Sequence, residues 1–142
     1  GVELPPGSGT VARGVVVYAA QCAQCHGAKG EGLPTFPKLV GRDSAGAPKP
    51  EFQFATTNKT KTIGNYWPHA TTVFDYIKRA MPFAAPGSMS DDDVYAVTAY
   101  LLAANAIIPD TATLDAATLR AVRMPARDNF VPDNRKPTAT TK

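Results

Sequence analysis

The sequence predicts an all-α fold in which three main helices are followed by an irregular C-terminal extension. Apolar residues recur at helical spacing in three separate segments, and no strand pattern or internal repeat persists along the chain. Residue types that favour helix N-caps stand before the first and third of these segments. At 142 residues and 15.0 kDa, the chain has the length of one small domain.

The first helix is predicted from about Val11 to Cys25, with Ser8 or Thr10 as its N-cap. Residues 1–9 contain two prolines and three glycines, and they are predicted to form a loose arm. The helix face predicted to be buried carries Val11, Val15, Tyr18 and Cys22, and it is widened by Val16 and Ala19. Residues 27–69 are rich in glycine and proline, which predicts a loop wrapped around a cofactor.

The second helix is predicted from about Thr71 to Ala80, since Pro82 cannot continue it. Its apolar face holds Val73, Phe74, Ile77 and Ala80. The third helix begins at the cap Ser90 and runs to about Ala104. Its apolar stripe consists of Val94, Val97, Leu101 and Ala104. In the extension, Asp115 is predicted to cap one more short helix over residues 116–122.

Cys22, Cys25 and His26 carry the clearest chemical signal in the chain. Their spacing, C-x-x-C-H, is the attachment pattern of c-type haem. Two thiols three positions apart can each add to one vinyl group of a porphyrin, and the histidine that follows can bind the iron. These are the only two cysteines in the chain. The motif therefore predicts one covalently bound haem c and no second one.

Two other readings of the cysteine pair remain open on sequence alone. A redox disulfide of the thioredoxin kind sits in a βαβ pattern, whereas this neighbourhood is helical. A structural zinc site needs four ligands, and only His26 and His69 could join the two cysteines. Because Cys25 and His26 are adjacent, they would fit tetrahedral geometry poorly. Both alternatives are therefore less favoured than haem.

The residue on the other face of the iron decides the function, since an open face favours gas binding or catalysis. Met81 is the predicted second ligand because Pro82 ends the helix there and a short loop to Ser90 can press the thioether onto the iron. The alternatives are Met89, Met124 and His69. Met89 is predicted to pack beside the third helix cap, and Met124 lies in the extension.

Charge and hydropathy limit the possible partners. The formal net charge is +3 at pH 7, and two haem propionates would bring it nearer to neutrality. No basic stripe with interleaved aromatic residues is present, so nucleic acid is not an expected partner. No apolar run is long enough to span a membrane. Because c-type haem is attached outside the bacterial cytoplasm, we expect a periplasmic protein whose signal peptide has been removed.

From Gly14 to about Asn105, the chain resembles the class I monohaem cytochromes c. The matching features are C-A-Q-C-H, the stretch from Pro37 to Gly41, Met81-Pro82 and the helix from Ser90. The resemblance implies a cytochrome c-like fold, with three main helices around the haem. It also implies that the Pro37 carbonyl accepts a hydrogen bond from the iron-binding histidine. We therefore divide the chain into an arm (1–9), a cytochrome c domain (10–108) and an extension (109–142).

A narrower resemblance covers residues 61–130, where the segments Tyr66-Trp67-Pro68 and Met124-Pro125 are the most specific. These segments look like the cytochrome subunits of bacterial sulfite and sulfane dehydrogenases. The resemblance implies that Tyr66 and Trp67 pack beside the haem and bond a propionate. It also implies electron transfer from a molybdenum-containing dehydrogenase to another cytochrome or a terminal oxidase, with no catalytic residue in this chain. A general electron shuttle and, less favoured, a haem enzyme or ligand sensor are the alternatives.

Overall fold

A computed structural model describes residues 3–41, 60–130 and 132. In these residues the helices are α1 (Val11–Gln21), α2 (Ala23–His26), α3 (Ala70–Ala80), α4 (Asp91–Ala104) and α5 (Ala116–Ala121), and a 3₁₀ turn covers Arg127–Asn129. Two short strands, β1 (Ser8–Thr10) and β2 (Thr113–Asp115), complete the list. The all-α prediction with three main helices is confirmed in its architecture. Part of the predicted loop, residues 42–59, lies outside the described residues.

The first predicted helix is divided in two at Cys22. Thr10 caps α1 by accepting a hydrogen bond from the Arg13 backbone N–H at 3.1 Å. At Cys22 the backbone leaves helical geometry (φ −121°, ψ −36°), and α2 then makes one turn that ends at His26. Gly27, with φ +83°, takes the chain out of that turn in a conformation that suits glycine.

The buried face of α1 differs from the predicted one. Val15 and Val16 are 50% and 57% exposed, whereas Gly14 and Val17 are buried. The reason is a close crossing with α4, where a Cβ on Gly14 would collide with the carbonyl oxygen of Ala96. A glycine contributes no apolar side chain to a periodicity pattern, so the pattern placed the contact on the neighbouring valines.

Helix α4 is the central element of the core. The Ser90 hydroxyl caps it by accepting from the Asp93 backbone N–H at 3.2 Å, as the sequence predicted. Its buried residues cover most of its circumference. Phe74 of α3 packs on Tyr95 of α4 with ring centroids 4.5 Å apart. Helices α1 and α3 therefore both rest on α4, which fixes their positions relative to each other.

The extension after residue 108 packs on the same core. Strand β2 pairs antiparallel with β1 in a two-stranded sheet, with Gly9 opposite Leu114. The sequence predicted no strands, because segments of three residues are too short to show alternation. Asp115 caps α5 as predicted, and Leu114, Leu119 and Met124 are each at most 3% exposed. The domain boundary at residue 108 stays a prediction.

None of the helices in the described part of the chain is long and apolar enough to cross a lipid bilayer.

Candidate haem site

A cavity of about 520 Å³ lies between α2 with the loop that follows it, the end of α3, and α4. Six of the seven predicted site residues line it: Cys22, Cys25, His26, Pro37, Trp67 and Met81. The remaining walls are largely apolar, and their aliphatic residues are Leu39, Ile63, Val73, Ile77, Val97 and Leu101. A cavity of this size with apolar walls and a few polar atoms is typical of a cofactor site.

The two cysteines open into the cavity as separate thiols that no disulfide joins. Burial raises the pKa of the Cys22 thiol to about 11, and the neighbouring Cys25 adds to the effect. A thiol with such a pKa is protonated at neutral pH, which disfavours a redox nucleophile. Within the described residues, no group of three or more His, Cys, Asp or Glu side chains is arranged to hold a metal ion. The cavity instead suits a porphyrin attached through both sulfurs.

His26 is 8% exposed and lies at the end of α2. Its Nδ1 is 2.9 Å from the carbonyl oxygen of Pro37. Because a carbonyl oxygen can only accept, Nδ1 carries the proton and donates, which leaves Nε2 unprotonated and available to iron. A hydrogen bond of this kind orients the imidazole ring and raises its basicity as a ligand.

The backbone around His26 is held by hydrogen bonds within the loop that follows it. The His26 carbonyl accepts from the Gly32 N–H at 2.8 Å, and the Gly30 carbonyl accepts from Leu39 and Val40 at 2.9 and 3.0 Å. The side-chain oxygen of Asn105, at the end of α4, accepts from the Gly41 N–H at 2.9 Å. The loop that carries the Pro37 carbonyl is thus fixed to its own turn and to the core helix.

Met81 lies on another part of the cavity wall, at the C-terminal end of α3. Its N–H donates to the Ile77 carbonyl at 3.1 Å, and its backbone then becomes extended before Pro82. The three alternative ligands do not line the cavity. Met89 and Met124 are buried in the core at 8% and 2% exposure, and His69 is an exposed residue at the N-cap of α3. Among the described methionines and histidines, only Met81 joins His26 at the cavity.

The aromatic pair Tyr66 and Trp67 is divided between two environments. Trp67 lines the cavity and packs edge-on against Tyr76, with ring centroids 5.7 Å apart. Tyr66 is absent from the cavity wall and packs edge-on against Phe130, also at 5.7 Å. The Lys61 ammonium lies 4.6 Å from the centre of the Tyr66 ring. Only Trp67 of the pair therefore lies at the cavity.

Sequence reasoning did not assign the aliphatic wall of the cavity. Val73 and Ile77 of α3, and Val97 and Leu101 of α4, were predicted to be buried core residues, but each also faces the cavity. In both helices the two residues are four positions apart, which places them on one face. The sequence did contain one indication of this role, because the helix predicted for Val73 and Ile77 ends at Met81 and the helix predicted for Val97 and Leu101 is the next one along the chain. The roles of all the site residues at the haem stay predictions.

Together, the helical fold around an apolar cavity and the C-x-x-C-H motif on its wall define a monohaem cytochrome of the c type. The family described as "Cytochrome C oxidase, cbb3-type, subunit III" matches residues 9–101, and the chain belongs to this family of cytochromes c. Members hold haem c covalently, and Cys22 and Cys25 are the only cysteines that this chain offers for it.

Two relatives place the chain among cytochromes that are related to sulfur-compound dehydrogenases. It is 34% identical over 105 residues to the thiosulfate dehydrogenase of Stutzerimonas stutzeri (strain A1501), covering 70% of this chain and 29% of that protein. The structure resembles a chain in the crystal structure of the sulfane dehydrogenase SoxCD from Paracoccus pantotrophus, with a TM-score of 0.80 and 37% identity. That match covers 98% of this chain and 70% of the other. It therefore reaches across the C-terminal extension, which the family match leaves out.

Proposed function

We propose that this protein is a periplasmic electron carrier that accepts electrons from a molybdenum-containing dehydrogenase of sulfur compounds. In this proposal it passes them to another cytochrome or to a terminal oxidase. The observation that carries the proposal is the presence of His26 and Met81 in one apolar cavity with both cysteines. Two protein ligands would fill both axial positions of the iron and leave no coordination site for a substrate. The proposal therefore assigns no catalytic residue to this chain.

The residues around the cavity suit electron transfer in three ways. When bound, the haem supplies an iron that alternates between the ferric and ferrous states. With His26 and Met81 as the residues that would hold the iron, the ferrous state would be favoured and the reduction potential would be higher than with two imidazoles. The aliphatic walls exclude water from the site and keep its dielectric low. The hydrogen bonds around His26 would hold its imidazole in one orientation in both oxidation states.

The electron donor is inferred from the relatives. One is named a thiosulfate dehydrogenase, of which this chain spans 29%, and the other is a chain in the structure of a sulfane dehydrogenase, of which it spans 70%. In this proposal the chain supplies the haem, and the sulfur compound is oxidised on the molybdenum-containing dehydrogenase. The periplasmic location rests on the chemistry of haem attachment, which takes place outside the bacterial cytoplasm.

A general electron shuttle to a terminal oxidase is the second candidate. The observation that favours it is the family match, since the matching family is described as a subunit of a cbb3-type oxidase. The two candidates share the cavity, the ligands and the electron chemistry. They differ only in the protein that reduces the haem, so a test with a defined donor separates them.

A donor assay tests the proposed partner. Oxidised protein is mixed with a purified sulfane or sulfite dehydrogenase and its substrate, and the ferrous α-band is followed by stopped-flow absorbance. We expect rapid reduction that depends on both the enzyme and the sulfur substrate. A class I cytochrome c from an unrelated pathway, at the same concentration, is the matched control. Equal or faster reduction of that control would favour the general shuttle.

Carbon monoxide binding tests the more basic claim that the protein is a carrier. With both axial positions filled, the reduced protein at neutral pH should bind carbon monoxide slowly and incompletely. Rapid stoichiometric binding would show that the iron has a free coordination position. The protein would then be an enzyme or a ligand sensor and not an electron carrier. Because this measurement needs no partner protein, its outcome is independent of the donor assay.

A further inference from the structure

Tyr18 is a buried residue of α1 whose hydroxyl group bonds to the turn that follows His26. The residue is 1% exposed, and its hydroxyl donates a hydrogen bond to the carbonyl oxygen of Gly27 at 2.8 Å. Its ring packs against Tyr100 of α4, with centroids 4.8 Å apart. Burial raises the pKa of Tyr18 above its ordinary value, so the hydroxyl remains a donor throughout the working pH range.

The accepting carbonyl belongs to the residue that follows His26. Gly27 begins a turn that continues to Gly30, and the two glycines have φ +83° and +76°. The Gly30 N–H donates to the Gly27 carbonyl at 3.2 Å, so that carbonyl ties together the turn and the Tyr18 hydroxyl. A single side chain of α1 thus fixes the backbone immediately after the candidate iron ligand.

The same turn also holds the segment that carries the hydrogen-bond acceptor of the His26 ring. The Gly30 carbonyl accepts from the backbone N–H groups of Leu39 and Val40, which holds the segment beginning at Pro37. The Pro37 carbonyl in turn accepts from His26 Nδ1 at 2.9 Å. Both the backbone of His26 and the acceptor of its ring proton are therefore tied to one turn, and Tyr18 anchors that turn to the core.

We infer that the Tyr18 hydroxyl is a positioning residue that holds the turn after His26 and thereby sets the strength of the hydrogen bond between Nδ1 and Pro37. The inference depends on His26 being an iron ligand, as in the proposed function. A weaker bond at Nδ1 makes the imidazole a poorer electron donor to iron, which destabilises the ferric state. The hydroxyl therefore lowers the reduction potential relative to a chain that lacks it.

The test uses the haem-loaded protein and the Tyr18→Phe variant, which keeps the ring and removes one oxygen. Ferrous protein is diamagnetic, so hydrogen exchange of the His26 Nδ1–H is followed by NMR. We expect exchange to become roughly fivefold faster or more, on the scale of one weakened hydrogen bond. We also expect changed haem-methyl shifts in the ferric protein and a more positive reduction potential. The matched control is Tyr100→Phe, which removes a hydroxyl from the same ring pair and should leave all three readings unchanged.

A second variant keeps the inference testable if Tyr18→Phe destabilises the protein. Site-specific 3-fluorotyrosine at position 18 keeps the hydroxyl and makes it a stronger donor, so exchange should slow and the potential should become more negative. If both variants leave the exchange rate, the methyl shifts and the potential unchanged, Tyr18 serves only packing and the inference is overturned. A wild-type spectrum without a histidine signature at the iron would instead contradict the proposed ligand, which keeps the two failures distinct.

Discussion

The two sides of the haem cavity hold their candidate ligands by different means. We call residues 26–41 the imidazole wall and residues 80–89 the thioether wall. In the imidazole wall, backbone hydrogen bonds join the turn after His26 to the segment from Pro37, and Asn105 joins that segment to α4. Both walls contain exposed residues, but in the thioether wall residues 83–88 form one continuous exposed run, and Phe83 is 75% exposed. The described hydrogen bonds there are short-range, apart from Lys78 to the Met89 carbonyl at 3.2 Å.

The difference indicates which ligand moves first when the fold is disturbed. Segments with few buried contacts and exposed backbone open at low free-energy cost, whereas segments tied to the core open only with it. His26 is also adjacent in sequence to Cys22 and Cys25, whereas Met81 is placed at the cavity only through the packing of α3. We therefore expect mild perturbation to detach Met81 while His26 remains bound.

Replacing the thioether gives the largest expected effect. Met81→Ala should abolish the weak near-infrared band from sulfur to ferric iron. It should also lower the reduction potential by about 0.1 V or more, within the roughly 0.8 V range that axial ligands control. Absorbance spectra and a redox titration measure both.

Met89→Leu and Met124→Leu are the matched controls for that change, because neither residue lines the cavity. Each should keep the band and cost less than about 1.5 kcal/mol of unfolding free energy, since the substitution conserves volume. Retention of the band in Met81→Ala, with its loss in either control, would transfer the ligand role to that control residue.

Two glycines with nearly the same backbone conformation compare the walls directly. Gly30 has φ +76° and Gly87 has φ +75°. A Cβ on Gly30 would lie 2.5 Å from Val40 Cγ2, whereas on Gly87 the nearest atom would be 3.9 Å away. Both alanine variants incur a left-handed strain of about 1–2 kcal/mol. Gly30→Ala should lose about 1–3 kcal/mol more through overpacking.

Chemical denaturation of the two holoproteins measures that difference in unfolding free energy. Equal losses in Gly30→Ala and Gly87→Ala would mean that the imidazole wall yields as easily as the thioether wall, against the comparison above.

The amide of Asn105 offers a smaller test of the imidazole wall. Asn105 is 2% exposed, and besides accepting from Gly41 it donates to the carbonyls of Leu101 and Leu39 at 2.8 and 3.3 Å. Asn105→Ala should cost about 2–3 kcal/mol, because buried backbone groups lose their partner. Ser88→Ala in the thioether wall should stay within about 0.5 kcal/mol. Thermal unfolding of the two variants is the measurement, and equal decreases in their melting temperatures would contradict this comparison.

The smallest effect is expected outside both walls, at the cap of α5. Hydrogen bonds from the backbone and hydroxyl of Thr118 hold the pKa of Asp115 below its ordinary value of 3.8. A lowered pKa in the folded state means that the carboxylate stabilises the fold above pH 3.8, and that this contribution is lost as the pH falls further.

The pH dependence of the melting temperature measures the contribution of this carboxylate. Asp115→Asn, which keeps a capping oxygen, should lose slightly less stability than the wild type between pH 7 and about pH 3. The near-infrared band of both proteins at neutral pH should be the same, since the cap contacts neither wall. If the melting temperatures of the two proteins fell equally as the pH is lowered, the pH-dependent stability would not come from this carboxylate.

Features that depend on local spacing were predictable from the sequence. The cap at Ser90, the end of α3 before Pro82 and the cap at Asp115 each involve residues within four positions of one another. Features that depend on pairing across the chain were not predictable. Gly14 against Ala96 and the two-stranded sheet both join segments more than 80 residues apart, and no periodicity reports such contacts.

The amino-acid sequence by itself determined the chemistry of this protein, because the two thiols and the imidazole are contiguous and their spacing alone specifies covalent haem. It also determined the main helices, whose caps and periodicity are local. Only the tertiary structure decided that Trp67 and not Tyr66 reaches the cavity, and that Tyr18 and Asn105 hold the loop around His26. Those outcomes depend on how distant segments pack on α4, and packing is a property of the whole chain.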